Sequence, residues 1–268
     1  MTRSISLPMY DFPEVHTSTK AILDALTEAF TKLGDASQPS FPESSIHADL
    51  MRMWKDDATL FSQSCGLPFV EELHDYVDIV ATLKWTGISD ERGWYRTVIV
   101  AREELGVTSL GEVGGLQPVV TNTQSLSGWC SLGVALSDVG ADASYVSPYV
   151  ESGGHANSLQ MLQDKRADFA SIDPGTFQLL QRHRPSLTNG LRIIGHGPYV
   201  PATPMHVSKV RAADFGALQA AVLEVFSRAE LAGARVDIGI DGAVAIGASD
   251  YSVIPGLVAR AHAVLPRR

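Results

Sequence analysis

Between Asn122 and Leu132 the chain reads Asn-Thr-Gln-Ser-Leu-Ser-Gly-Trp-Cys-Ser-Leu. The run follows a strand-like stretch ending at Val119-Val120 and leads into an apolar segment that reads as a helix. A helix start leaves several backbone N–H groups without a preceding carbonyl and favours negative charge. Ser125 and Ser127 add two hydroxyls, and Gly128 lets the backbone approach closely. The chemistry on offer is the binding of a small anion by neutral donors. A plain N-cap explains the same serines locally.

Other short polar turns carry similar residue types. His155 follows Gly153-Gly154. There it can donate to an anion in a pH-sensitive way, its ordinary pKa being about 6.5, or it is a hydrogen-bonded loop histidine. Asp173 precedes Pro174 and either caps a helix or meets a ligand's amine or protonated oxygen. Tyr10 and Asp11 follow the first strand-like run. Tyr10 either donates its hydroxyl to a ligand or packs on its own lobe. Ser62, Gln63 and Ser64 are side-chain donors in a further turn, beside Cys65, which reads as a packed thiol. Tyr95 and Arg96 open a strong strand, and Arg96 is either an anion partner or half of a salt bridge. Trp129, directly after Gly128, is placed to report binding.

Composition narrows the classes. The 268 residues are 45% hydrophobic and carry a net charge of −9. A large core is possible, as one big domain or two lobes. Nucleic acid is excluded as the main partner, because phosphate backbones need clustered Lys and Arg. The basic spots, Arg182-His183-Arg184 and Arg267-Arg268, are short. Cys65 and Cys130 lie in no zinc spacing and read as free thiols. No run approaches the roughly 20 apolar residues that span a bilayer. The first residues show no secretory h-region, which points to the cytoplasm.

The elements that must position these residues alternate. Strands are expected at Ser4–Leu7, Ala58–Phe61, Tyr76–Leu83, Trp94–Ala101, Pro118–Val120, Ser144–Val150, Asp168–Ile172 and Leu191–Ile194. Helices are expected over 22–33, around Leu50–Trp54, and over 67–73, 156–162, 174–180, 218–231 and 251–264, with a loop over 35–46 and an extended crossing over 196–205. Such alternation implies an α/β fold with ligands at the carboxyl ends of strands.

The turns at Pro8–Asp11, Ser62–Gly66, Asn122–Gly128, Ser152–His155 and Asp173–Thr176, with the Tyr-Arg-Thr-Val-Ile-Val strand at 95–100, come in an order and spacing that resemble the phosphate/phosphonate-type solute-binding proteins of ABC importers. These belong to the type II periplasmic-binding fold, and the resemblance covers nearly the whole chain. It implies two lobes, residues 1–97 with 198–268 and residues 98–197, joined by two crossing hinge strands near Tyr95–Ala101 and Gly197–His206, with a ligand cleft between them. It implies ligand-binding roles for Tyr10, Ser62, Gln63, Ser64, Tyr95, Ser125, Ser127, Gly128, His155 and Asp173, with no catalytic residue, metal or cofactor. Leu126 interrupts the adjacent hydroxyls that the family carries at this place, so the motif supports an oxyanion more firmly than a phosphonate.

The function expected is non-catalytic binding of a small oxyanion (phosphate, phosphonate or a related organic anion). The partner would be an importer's membrane subunit, the chain itself a monomer or weak dimer, and the compartment periplasmic by resemblance. The alternative is a cytoplasmic enzyme of the same fold acting on a small anionic metabolite in cofactor biosynthesis. A sulfonate- or pyrimidine-binding relative would need stacking walls, and aromatics are 7% here.

Overall fold

The computed structural model describes residues 2–43 and 46–267. Ser44 and Ser45 of the loop expected over 35–46, and Arg268 of the terminal basic pair, lie outside the described residues. The chain begins with β1 (Arg3–Ile5), α1 (His16–Lys32), β2 (Ser37–Pro39), α2 (His47–Lys55), β3 (Thr59–Gln63), α3 (Gly66–Pro68) widening into a π turn over Phe69–Leu73, and β4 (Val77–Trp85). There follow β5 (Trp94–Arg102), β6 (Pro118–Val120), a π turn over Leu126–Cys130 that continues as α4 (Ser131–Asp138), β7 (Val150–Glu151), α5 (His155–Gln163), β8 (Phe169–Ile172) and α6 (Pro174–His183). The last part holds β9 (Leu191–Pro201), β10 (Pro204–Ser208), α7 (Phe215–Ser227), α8 (Ala232–Ile238), β11 (Ile240–Val244) and α9 (Ile254–Val264).

The chain divides into two compact units, Met1–Trp94 with Pro201–Ser252 and Tyr95–Val200 with Val253–Arg268. The first is built on a six-stranded sheet in the order β11-β4-β10-β3-β1-β2. β1 runs parallel to β2 and β3, and β10 lies antiparallel between β3 and β4. Along α1, Ile22, Leu23, Leu26 and Phe30 recur at helical spacing and are buried, as an amphipathic helix on a sheet requires. The Phe30 and Phe61 rings meet at 5.6 Å between centroids. At one end of this unit the Ala202 N–H donates to Gly93 O (3.1 Å) and Tyr251 Oη donates to Ala202 O (2.6 Å). That ties together three segments far apart in sequence.

The second unit has a five-stranded sheet in the order β7-β6-β8-β5-β9. β8 is parallel to β6 and antiparallel to β5. α4 packs on α9 so closely that a Cβ on Gly133 would stand 2.7 Å from Ala261 Cα. The buried Trp129 donates its Nε1–H to Leu265 O at 3.0 Å. Apolar burial of Ala261, Val264 and Leu265 thus fixes the C-terminal segment in the second unit, whereas the sequence reading placed all of 198–268 in the first lobe. At the sheet edge, Arg96 Nε donates to Gly197 O of β9 (2.8 Å).

Other differences are local. The strand expected over Ser144–Val150 shrinks to Val150–Glu151, after turns held by Asp142, which accepts from the Ser144 N–H and hydroxyl. The helix expected to run from Leu218 to Leu231 stops at Ser227, and the chain instead adds α8 and β11. β2 was not anticipated in the loop after α1.

Candidate functional site

In the second unit two strand ends and two helix starts converge. β6 ends at Val120, and the helix that begins at Leu126 has Ser125 as its N-cap. Ser125 Oγ accepts the Gly128 N–H at 2.9 Å. Ser125 O accepts both Trp129 N–H (3.2 Å) and Cys130 N–H (3.0 Å), the shared carbonyl of a turn that is part α and part π. The capping role of Ser125 is therefore real, and its hydroxyl hydrogen remains a donor. Gly128 departs from expectation: its N–H serves Ser125 instead of facing an anion. The glycine is required because a Cβ there would lie 2.3 Å from Thr121 Oγ1 and 2.9 Å from Thr121 Cγ2.

The second helix start is α5. Gly153 N–H donates to Thr121 O (2.8 Å) and Ser152 N–H to Val120 O (2.9 Å), so this turn is laced to the end of β6. Ser152 Oγ is absorbed by Val120 O, Gly154 O and Ser158 Oγ. His155, the first residue of α5, comes to 2.8 Å from Ser127 Oγ through Nε2. Its ring is half-buried, and Nδ1 has no hydrogen-bond partner among the described residues. Burial pushes the imidazole pKa below its ordinary value, and the Asp173 carboxylate pulls it partly back. The ring is thus held neutral near pH 7. With the proton on Nε2, His155 donates to Ser127 Oγ and frees the Ser127 hydroxyl hydrogen for an anion.

On β5, Tyr95, Thr97 and Ile99 alternate onto one face, and the register Ile99↔Ser171 brings Ser171 of β8 onto it. Ser171 Oγ donates to Thr97 Oγ1 (2.9 Å). Asp173 ends β8 and caps α6, accepting the Thr176 N–H at Oδ1 (2.8 Å) and the Tyr95 hydroxyl at Oδ2 (2.6 Å). The capping role of Asp173 is observed, and the Tyr95 proton is committed to the other oxygen of the same carboxylate. A serine–histidine pair near a buried carboxylate is the raw material of acyl transfer. That chemistry needs the acid on the imidazole Nδ1–H to orient the base. Here Nδ1 has no partner among the described residues, and the carboxylate serves Thr176 and Tyr95.

In the first unit, Gln63 Nε2 donates to Thr203 Oγ1, which donates to Tyr10 Oη, each at 3.2 Å. The Tyr10 ring stands on Trp85 at 4.5 Å. Ser64 Oγ is buried without a partner among the described residues. Ser62 does not join this group. Its Oγ pairs with Ser6 Oγ (2.9 Å) and accepts the Trp54 indole N–H (3.1 Å), because residues 62 and 63 point to opposite faces of β3. The hydroxyls missed by sequence reading are Thr121, Ser131 and Thr203. Ser131 was legible as the residue one helical turn after Ser127. Cys65 and Cys130 are not joined in a disulfide. No three metal-ligating side chains cluster among the described residues, and no described helix is long and apolar enough to cross a membrane.

Residues 7–251 match the family described as ABC transporter, phosphonate, periplasmic substrate-binding protein. The chain belongs to this family. Solved structures show the fold of such phosphonate-binding proteins. PhnD1 from Prochlorococcus marinus, in complex with methylphosphonate, is similar at a TM-score of 0.78 and 12% identity, covering 98% of this chain and 99% of its own. XAC2383 from Xanthomonas citri, bound to chloride ion, has a TM-score of 0.74 and 13% identity with 97% of both chains covered. A binding protein component of an ABC phosphonate transporter from Pseudomonas aeruginosa has a TM-score of 0.72 and 15% identity, covering 96% of this chain and 86% of its own. The fold is the α/β type II periplasmic-binding fold. No sequence among curated proteins matches this one.

Proposed function

We propose that this chain is the solute-binding component of an ABC importer and holds a small oxyanion of the phosphonate class without turning it over. The observation that carries the reading is the Ser127–His155 contact at 2.8 Å. It joins two helix starts, where backbone N–H groups and helix dipoles favour an anion. A neutral imidazole behind a serine hydroxyl supplies a donor without a counter-charge, which suits binding that must later be released. The missing Nδ1 contact argues against an enzyme. Ser125, Ser127 and His155 are the residues assigned to the anion, with Tyr95 oriented by Asp173. The working compartment is outside the cytoplasmic membrane, as the family implies, with the importer's membrane subunit as partner.

The test is a titration with methylphosphonate, aminoethylphosphonate, phosphate, sulfate and simple carboxylates, read by tryptophan fluorescence and melting temperature. Ligand at a hundredfold excess over Kd stabilises by about 2.7 kcal/mol. Ser127→Ala weakens binding by about 1–3 kcal/mol through the lost buried bond, and ligand is recovered chemically unchanged. A melting temperature indifferent to every oxyanion overturns the assignment. Tyr10, Gln63 and Ser64 of the first unit enter the same titration as single alanine variants.

A further inference from the structure

Thr121 is 5% exposed, and its Oγ1 has no hydrogen-bond partner among the described residues. A buried hydroxyl in that state is disfavoured against an apolar group of the same shape, so it calls for a reason. Its surroundings give one. The main chain of Thr121 holds the α5 turn through the Gly153 N–H. Its side chain presses on Gly128, where the point a Cβ would occupy is 2.3 Å from Thr121 Oγ1 and 3.1 Å from Ser125 Oγ. The space that a Gly128 side chain would need is thus bordered by both the Thr121 and the Ser125 hydroxyl oxygens.

We infer that Thr121 is a positioning residue of the oxyanion site, donating its hydroxyl hydrogen to Ser125 Oγ when an anion draws the Ser125 hydrogen forward. Ser125 Oγ already accepts the Gly128 N–H, and a hydroxyl oxygen has two acceptor lone pairs. A second donor behind it polarises it toward the ligand, the role His155 has for Ser127 when its proton is on Nε2. The hydroxyl run broken at Leu126 in the sequence is thereby completed from the end of β6. This rests on the oxyanion reading above.

The experiment compares wild type, Thr121→Val and Thr121→Ser by calorimetric titration with methylphosphonate and by melting temperature without ligand. Valine keeps the shape and removes the orphan hydroxyl. Its expected signature is split: affinity falls by about three- to tenfold while the melting temperature holds or rises. Serine, which keeps the hydroxyl, restores most of the affinity. Unchanged affinity in Thr121→Val overturns the inference and leaves the oxyanion reading intact. Parallel loss of affinity and melting temperature, unrescued by serine, also overturns it, because Thr121 is then packing alone. Wild-type protein that does not bind methylphosphonate overturns this assignment together with the reading beneath it, a result distinguishable from the other two.

Discussion

His206 is the group through which acid should reach this fold. It sits on β10 between β3 and β4, with Ser62 and Ile79 as its cross-strand neighbours. The side chain is 1% exposed, and the Trp54 indole stands edge-on to it at 6.4 Å. Nε2 has no hydrogen-bond partner among the described residues. Burial lowers the imidazole pKa to about 3, against about 6.5 in the unfolded chain. The sign follows directly. Above pH 6.5 both states hold a neutral ring and stability is complete. Below it the unfolded chain takes up a proton that the folded one refuses, and stability drains away as pH falls toward 3. At 1.36 kcal/mol per pKa unit, the loss between pH 7 and pH 5 is about 2 kcal/mol from this residue alone. Urea unfolding of wild type and His206→Met across that range, followed by fluorescence, isolates the effect. His155 adds to the acid loss in both proteins and cancels in the difference. Wild-type and variant stabilities that decline in parallel would refute the reasoning.

Gly128→Ala drives a methyl into Thr121 and should destabilise the second unit by about 1–3 kcal/mol, read as a lower melting temperature; an unchanged value means the loop yields. Tyr251→Phe strands the Ala202 carbonyl, whose 2.6 Å bond is lost, at a cost of about 1–3 kcal/mol. Hydrogen exchange at Ala202, whose N–H meets Gly93 O, should quicken, and unaltered protection would count against the tie.

What was legible in the sequence was local. The apolar period of α1, the β-branched run of β5 and the Asp173-Pro174 helix start each carry their signal within a few residues, and the turns they bound came out at strand ends as read. The partners of a side chain were not legible. Ser62 and Gln63 were read as one turn but close β3, and one serves Ser6 and Trp54 and the other Thr203, because a strand alternates its faces. Gly128 was read for its permissive backbone, whereas its smallness answers Thr121, seven residues earlier. The C-terminal helix carries an apolar stripe that fits any groove. Only Gly133 and Trp129, packed in three dimensions, decide which unit receives it.

Among the sheet edges, β7 and β2 are two and three residues long, whereas β9 runs for eleven. An edge of that length, with Ile193 and Tyr199 exposed, invites another chain to add a strand. Arg96 occupies the Gly197 carbonyl, and Pro198 and Pro201 bring no N–H to offer. The arginine read either as an anion partner or as half of a salt bridge is thereby spent on a carbonyl of this edge strand, which leaves fewer main-chain groups on β9 for an added strand to bond.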